Sequence, residues 1–366
     1  MNVIDVVAEK VLEFNWHTYK TNLIMHNHHL DYRLFFKNWQ LSTKCKYLSW
    51  IEFTQNIDSN PTYIDLLNKQ SKSNRIIIDL SVDPVDTKIA LQHPALKNLS
   101  SNFVFFTNQQ SATHNTKFDI RFFPTWIARA CPKINTSYFT KELPDSDYQL
   151  PRPWSISCLN RQPRKHRYYT YYKLTQFDWF PQCFTSFGGR SPIKNQFGDI
   201  FDEHELRQVL GLDAYKWFLM NQHNFPISSQ KDYNWENCHD PGSPAYSQSY
   251  VNIATETSID LFCPTEKTTK PLYSGNIFLP IASKNFVAEM ESFGFDLAYQ
   301  GLDPHIYDQL NTWQERVDAC LAMLHANYYN IQDIWNNNVE RLMHNRNLMD
   351  SQNLANSLMS EVKDLV

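Results

Sequence analysis

The segment from Tyr250 to Ala282, YVNIATETSIDLFCPTEKTTKPLYSGNIFLPIA, most constrains what this chain can fold into. Tyr250 to Ala254 is a mostly apolar run, short enough for a buried strand. It ends in Glu256, Thr257 and Ser258. After a loop, Thr265 is suited to cap a helix and Glu266 to occupy its first turn, against the positive end of the helix dipole. Gly275 can close that helix in a left-handed conformation. Asn276 to Ala282 is then a second apolar strand. Strand, polar loop, helix and strand gather acids and Lys267 at a strand end and a helix start. Open α/β sheets bind ligands at that place, because backbone N–H groups face the crevice there.

A capped helix with a solvated lysine would account for Thr265-Glu266-Lys267 alone. The longer string resembles the donor-binding signature of the α1,3-fucosyltransferase family and related glycosyltransferases. There a strand ending in a Glu-Asn-Ser type sequence is followed by Thr-Glu-Lys at a helix start. Here the strand end reads Glu256-Thr257-Ser258, so Thr257 stands where that pattern has Asn. Lys270-Pro271, Gly275 and Phe293-Gly294-Phe295 extend the similarity, which spans roughly Trp154 to Leu324 and is dense between 251 and 296. The resemblance implies an α/β fold of GT-B type, with two Rossmann-like domains facing across a cleft. It implies a nucleotide-diphosphate sugar as donor substrate and no further cofactor. Glu266 would meet the ribose hydroxyls, and Glu256 the sugar or its ribose. Ser258, Thr265 and Lys267 would complete the donor site.

The chain has 366 residues, enough for one large or two ordinary domains, and is 42% hydrophobic. A net charge of −4 gives no global basic field for nucleic acid. No GxGxxG and no P-loop occurs among its 8 glycines. The seven cysteines are scattered, without CxxC, which reads as reduced thiols in a cytoplasmic setting. No apolar run approaches a membrane span.

In chain order, Glu9 to Tyr19 and Tyr47 to Gln55 fit helix or strand equally. His26, His28, His29 and Asp31 lack helical metal-ligand spacing and read as a surface loop. Arg75 to Leu80, Asn102 to Thr107 and Phe118 to Trp126 read as strands of a first Rossmann-like domain, residues 1–150, which would receive a glycan acceptor. Lys141 to Pro153 reads as a linker. Residues 151–330 would form the donor domain, and 331–366 helices that pack on the domains.

Trp154 to Asn160 reads as a buried strand, followed by Arg161-Gln162-Pro163-Arg164-Lys165-His166-Arg167 and a helix. Cations at a helix start oppose its dipole. Either they form a solvated or internally paired turn, or Arg161, Arg164 and Arg167 await a diphosphate, whose oxygens match guanidinium forks. Phe177 to Phe187 reads as a strand, Phe201 to Trp217 contains a helix, and Ser228 to Ser249 is a long loop or lid. Cys238-His239-Asp240 within it is too crowded to point at one ion. Ser283 should cap a helix that Gly294 closes, and Thr312 with Glu315 forms a capping box.

The activity these readings favour is inverting, metal-independent glycosyl transfer to a glycan hydroxyl. Asp83 is the candidate base, chosen from Asp79, Asp83 and Asp86 near a strand end. Two alternatives are a non-catalytic nucleotide- or carbohydrate-binding module, and a transferase acting on modified DNA.

Overall fold

The computed structural model describes residues 45–60, 62–73, 75–81, 85–100, 102–109, 117–132, 151–160, 164–188, 203–221, 227–228 and 243–363. The chain divides into two compact units, residues 1–129 with 356–366, and residues 130–355. Arg161, Asp83, His26, His28, His29 and the Cys238-His239-Asp240 triplet lie outside the described residues.

In the first unit the described elements are β1 (Cys45–Ser49), α1 (Trp50–Ser59), α2 (Tyr63–Ser71), β2 (Arg75–Asp79), α3 (Thr87–Ala90), β3 (Phe103–Thr107), β4 (Asp119–Phe122) and α4 (Thr125–Ala130). The four strands pair in parallel, in sequence order. Parallel strands are covered on both faces and so carry unbroken apolar runs. All five residues of β3 are accordingly buried. Phe53 from α1 and Tyr63 and Leu67 from α2 pack with Ile76, Ile78, Phe103 and Phe105 in one core. Each such side chain contributes about 1.5–3 kcal/mol by leaving water. The ambiguous run from Tyr47 resolves as strand to Ser49 and helix from Trp50. Phe118 to Trp126 is only partly strand, because Thr125 already begins α4.

The carboxyl ends of β2 and β3 are knitted by hydroxyls and amides. Asp79 accepts from the Ser81 amide at 2.7 Å and from Thr125 Oγ1 at 2.7 Å. The hydroxyls of Thr87 and Thr107 lie 2.6 Å apart, and Asn108 donates to the Ser81 carbonyl. Asp86 caps α3 by accepting from the amides of Lys88 and Ile89. Two of the three carboxylates considered for the base therefore have structural partners.

The second unit holds β5 (Trp154–Asn160), α5 (Lys165–Leu174), β6 (Phe184–Phe187), α6 (Glu203–Leu210), α7 (Leu212–Asn221), β7 (Ile227–Ser228), α8 (Pro244–Ser247), β8 (Ser249–Thr255), α9 (Glu266–Tyr273), β9 (Ile277–Ile281), α10 (Phe286–Glu291), α11 (His305–Asp308), α12 (Trp313–Asn327), α13 (Ile331–Asn337), α14 (Val339–Met349) and α15 (Gln352–Ser360). The last residues of α15 belong to the first unit. The sheet order is β7-β6-β5-β8-β9, parallel except for the short edge strand β7. The chain winds outward from β5 to β6 and β7, then returns to the other side of β5 as β8. Both units are thus α/β with a parallel sheet at the centre, as the sequence leads one to expect. Of Phe177 to Phe187, only the last four residues form a strand.

The helices bracing this sheet are fastened by specific polar bonds. Trp335 on α13 donates to the Gly275 carbonyl at 2.9 Å, while its ring faces the Arg152 guanidinium. Gly275 has φ 67° and ends α9, a conformation glycine adopts without strain. The expected capping box at Thr312 and Glu315 is present. Arg316, buried just after it, donates to the carbonyls of Ala282, Leu310 and Ile259. It ties the start of α12 to the loops that follow β8 and β9.

Ser283 does not cap α10, contrary to the sequence reading. Asn285 precedes the helix with φ 63° and makes no capping bond through its side chain. Asp308 of α11 takes that role from a distance by accepting from the amides of Val287 and Ala288. Glu289 sits beside it, and burial together with the Asp308 charge pushes the Glu289 carboxyl up to about 7. At the other end of α10, His305 bridges Glu291 at 2.9 Å and Asp303 at 2.6 Å. Burial works against the imidazolium, but those two hydrogen bonds outweigh it and raise its pKa.

Two predictions follow from this bracing. Arg316→Met should destabilise the second unit by about 2–4 kcal/mol in denaturant unfolding, because three carbonyls lose a charged donor. The α10–α11 contact should favour mild acid. Glu289 has a raised folded pKa, so its contribution is full below the unfolded value of 4.5 and is lost as pH rises through about 7. His305, also raised, contributes fully below 6.5 and loses that contribution above it. Melting temperature should therefore fall between pH 5 and pH 8 by an amount equivalent to about 1–2 kcal/mol, discounted for partial exposure. Glu289→Gln should flatten the lower part of that profile and His305→Gln the upper part.

Candidate functional site

Strand order reverses between β5 and β8, which makes their carboxyl ends the switch point of the second sheet. A crevice opens at such a point because the flanking loops run to opposite faces. In the first unit the described strands wind in one direction, so no such point occurs among them. The two central strands are joined there by side chains. Asn252 donates to Ser157, and the Thr255 hydroxyl to Asn160. Asn160 also donates to Cys158, whose thiol burial pushes up to about 12.

Glu256 follows β8 directly and is fully buried. Its carboxylate accepts from the amides of Thr257 at 3.0 Å and Thr265 at 3.2 Å, and from the hydroxyls of Thr265 at 2.6 Å and Thr268. A buried carboxylate is tolerated when it is bonded in this way. The bonds draw the whole loop from Thr257 to Thr265 around one side chain and seat the start of α9 on the end of β8. Sequence reasoning places Glu256 toward the sugar. In the structure its oxygens are occupied within the chain, and it shapes the loop. Ser258 accepts from the amides of Asp260 and Leu261 and turns the same loop.

Thr265 caps α9 by accepting from the Lys267 amide. The Lys267 ammonium curls back over this cap. It reaches Glu266 at 2.8 Å, Thr265 Oγ1 at 3.2 Å and Thr257 Oγ1 at 3.3 Å. The side chains of Glu266 and Lys267 each remain 18% exposed. Thr257, at the position where the resembling pattern has Asn, supplies an oxygen to this cluster.

From the β5 side, α5 begins at Arg164 with extended backbone, no side-chain cap and no acid in its first turn. Arg164 and Arg167 are both buried. Arg167 Nη2 donates to the carbonyls of Thr255 and Glu256, each at 3.2 Å. Burial first and the Arg164 charge second lower the Arg167 pKa to about 9, with Glu256 and Glu266 opposing the shift. His166 meets the Glu256 carbonyl at 2.8 Å. Burial and the charge of Arg167 hold His166 well below its usual pKa, so it is neutral and Nε2 carries the donated proton.

The structure brings Arg164, Arg167, Glu256, Thr265, Glu266 and Lys267 together at one end of the sheet, with Ser258 on the same loop. Arg167 is turned to the backbone of β8, leaving Arg164, Lys267 and the α5 amides as the groups nearest in character to an anion site. Inside a run of cations, His166 carries no sequence signal that marks it as a site residue. Nothing in the sequence marks Arg316 as a tie to the Ile259 loop beyond its place after a capping box.

No protein-family model and no curated protein matches the sequence. The likeness to the fucosyltransferase signature therefore stands on the residues quoted for it. Among solved structures, the chain is similar to the crystal structure of an alpha,alpha-trehalose-phosphate synthase (UDP-forming) from Burkholderia vietnamiensis. The identity is 11%, the match covers 82% of this chain and 70% of that one, and the TM-score is 0.41.

Proposed function

We propose that the second unit binds the diphosphate of a nucleotide sugar at the carboxyl ends of β5 and β8, and that the chain is a glycosyltransferase of GT-B type. The carrying observation is the convergence of Arg164, Arg167 and Lys267 at the switch point, beside a helix start with no acid in its first turn. Transfer from such a donor needs charge compensation on the leaving diphosphate, a pocket for the sugar and a base for the acceptor hydroxyl. Lys267 and Arg164 supply the first by direct contact, with Arg161 of the adjoining run. Arg167 acts from behind them, holding the end of β8 in place. These fixed cations replace a divalent ion, and displacement at the anomeric carbon proceeds with inversion. Glu266 faces the ribose, and the moved sugar is fucose or another hexose. A glycan hydroxyl is the acceptor, and Asp83, after β2, is the carboxylate assigned to activate it.

A second reading, a non-catalytic module that binds the same ligand, is favoured by one observation. Asp79 and Asp86, the other carboxylates near the end of β2, are engaged in structural bonds. A measurable rate of sugar-nucleotide hydrolysis or transfer separates the two. No helix among the described residues is long and apolar enough to cross a membrane. Cys131, Cys158, Cys183, Cys263 and Cys320 are buried and joined in no disulfide.

Lys267 and Glu256 should respond differently to substitution. Lys267→Ala should weaken nucleoside diphosphate binding by about 1.5–3 kcal/mol in calorimetry and leave the melting temperature nearly unchanged. Glu256→Gln should lower stability by about 1–3 kcal/mol, because its amide group would face donors that the carboxylate now accepts. Unchanged affinity in the lysine variant would remove Lys267 from the site. A separate measurement addresses metal. Binding and transfer should persist in excess chelator, and a loss restored by Mg²⁺ or Mn²⁺ would overturn the fixed-cation reading.

A further inference from the structure

Neighbouring residues on a helix point in different directions, and pairs one apart do not normally meet. Glu266 and Lys267 nevertheless form a 2.8 Å ion pair at the first turn of α9. The lysine makes this contact by folding toward the helix N-terminus, where the dipole disfavours a cation. Two hydroxyls, on Thr257 and Thr265, receive it there. Glu266 also acts on Arg167, whose charged form it favours. Among the described residues at this end of the sheet, the cations Arg164, Lys165, Arg167 and Lys267 are set against Glu256 and Glu266. Glu256 is buried and spends its oxygens on the loop. Glu266 is the partly exposed acid of the set.

We infer that Glu266 is an internal stand-in for the ligand's phosphate. In the empty site its carboxylate neutralises Lys267, and an incoming diphosphate displaces it and takes the ammonium. This inference rests on the proposed phosphate site and adds to it a competing contact within the chain. Such a contact sets the affinity, because each phosphate that binds must first break the pair. It also gives Glu266 a role that does not involve a ribose.

Inorganic pyrophosphate, which carries no sugar, is the probe that isolates this role. Its binding would be measured by calorimetry at low, fixed ionic strength on the full chain. The proteins are wild type, Glu266→Gln, Lys267→Gln and Arg164→Gln. Glutamine at 266 keeps the size and the hydrogen-bonding oxygen, and melting curves check that each variant folds. Glu266→Gln should bind pyrophosphate about two- to fivefold more tightly than wild type, the range for losing one partly exposed competing ion pair. Lys267→Gln should bind more weakly, and combining it with Glu266→Gln should abolish the gain. Unchanged or weaker binding by Glu266→Gln, with Lys267→Gln still impaired, would overturn the stand-in while leaving the phosphate site in place. Equal binding by wild type, Lys267→Gln and Arg164→Gln would overturn the site itself and the stand-in with it.

Discussion

One buried carboxylate organises the second unit. Glu256 has no exposed surface, and removing its charge from water is costly unless hydrogen bonds replace the lost hydration. Two amides and two hydroxyls do so, and they come from both ends of the loop between β8 and α9 and from the first turn of α9. The loop can close in few ways that satisfy all four. The main chain of the same residue is used as well, since its carbonyl accepts from His166 and Arg167 of α5. One residue therefore fixes the start of α9 through its side chain and the start of α5 through its backbone. Those are the two helix starts that flank the switch point.

The contrast between the two units has the same physical origin. In the first unit the ends of β2 and β3 are closed by neutral hydroxyls and amides around Asp79, and the described strands wind in one direction. In the second unit three cations meet at a reversal of strand order, and burial has already depressed the Arg167 pKa to about 9. Holding such charges together without an anion costs free energy, so the protein supplies partial substitutes. Arg167 has two carbonyls, and Lys267 has Glu266 and two hydroxyls.

Much of this was legible in the sequence where local chemistry decides the outcome. Phe103–Thr107 is apolar but for its last residue, Trp154–Asn160 sets apolar residues among two serines and a closing asparagine, and both are strands. Thr312 and Glu315 bond each other's backbone as their spacing implies. Legibility fails where the partner is distant in sequence. Ser283 looks like a cap, but Asp308 makes the bonds, and only the packing of α11 on α10 brings it there. β1 runs into α1 with no residue between Ser49 and Trp50, so one continuous pattern from Tyr47 to Gln55 covers both elements. At the site, Arg167 is bonded to the main chain of β8 and Glu256 to its own loop, contacts that residue type alone does not foretell.

The suitability of Thr257 for its place beside Lys267 is intelligible in the same terms. An asparagine side chain offers both a donor and an acceptor, and its donor would repel a nearby ammonium. A threonine hydroxyl can turn its lone pairs toward the cation, as Thr257 does to Lys267 at 3.3 Å. Its β-branched side chain also has few rotamers, so the oxygen stays where the loop puts it. The amide of the same residue is already bonded to Glu256, which fixes the backbone from which that rotamer is set. The lysine is thereby held at the helix start by neighbours that each contribute little, and a doubly charged ligand arriving at the same place has only weak contacts to break.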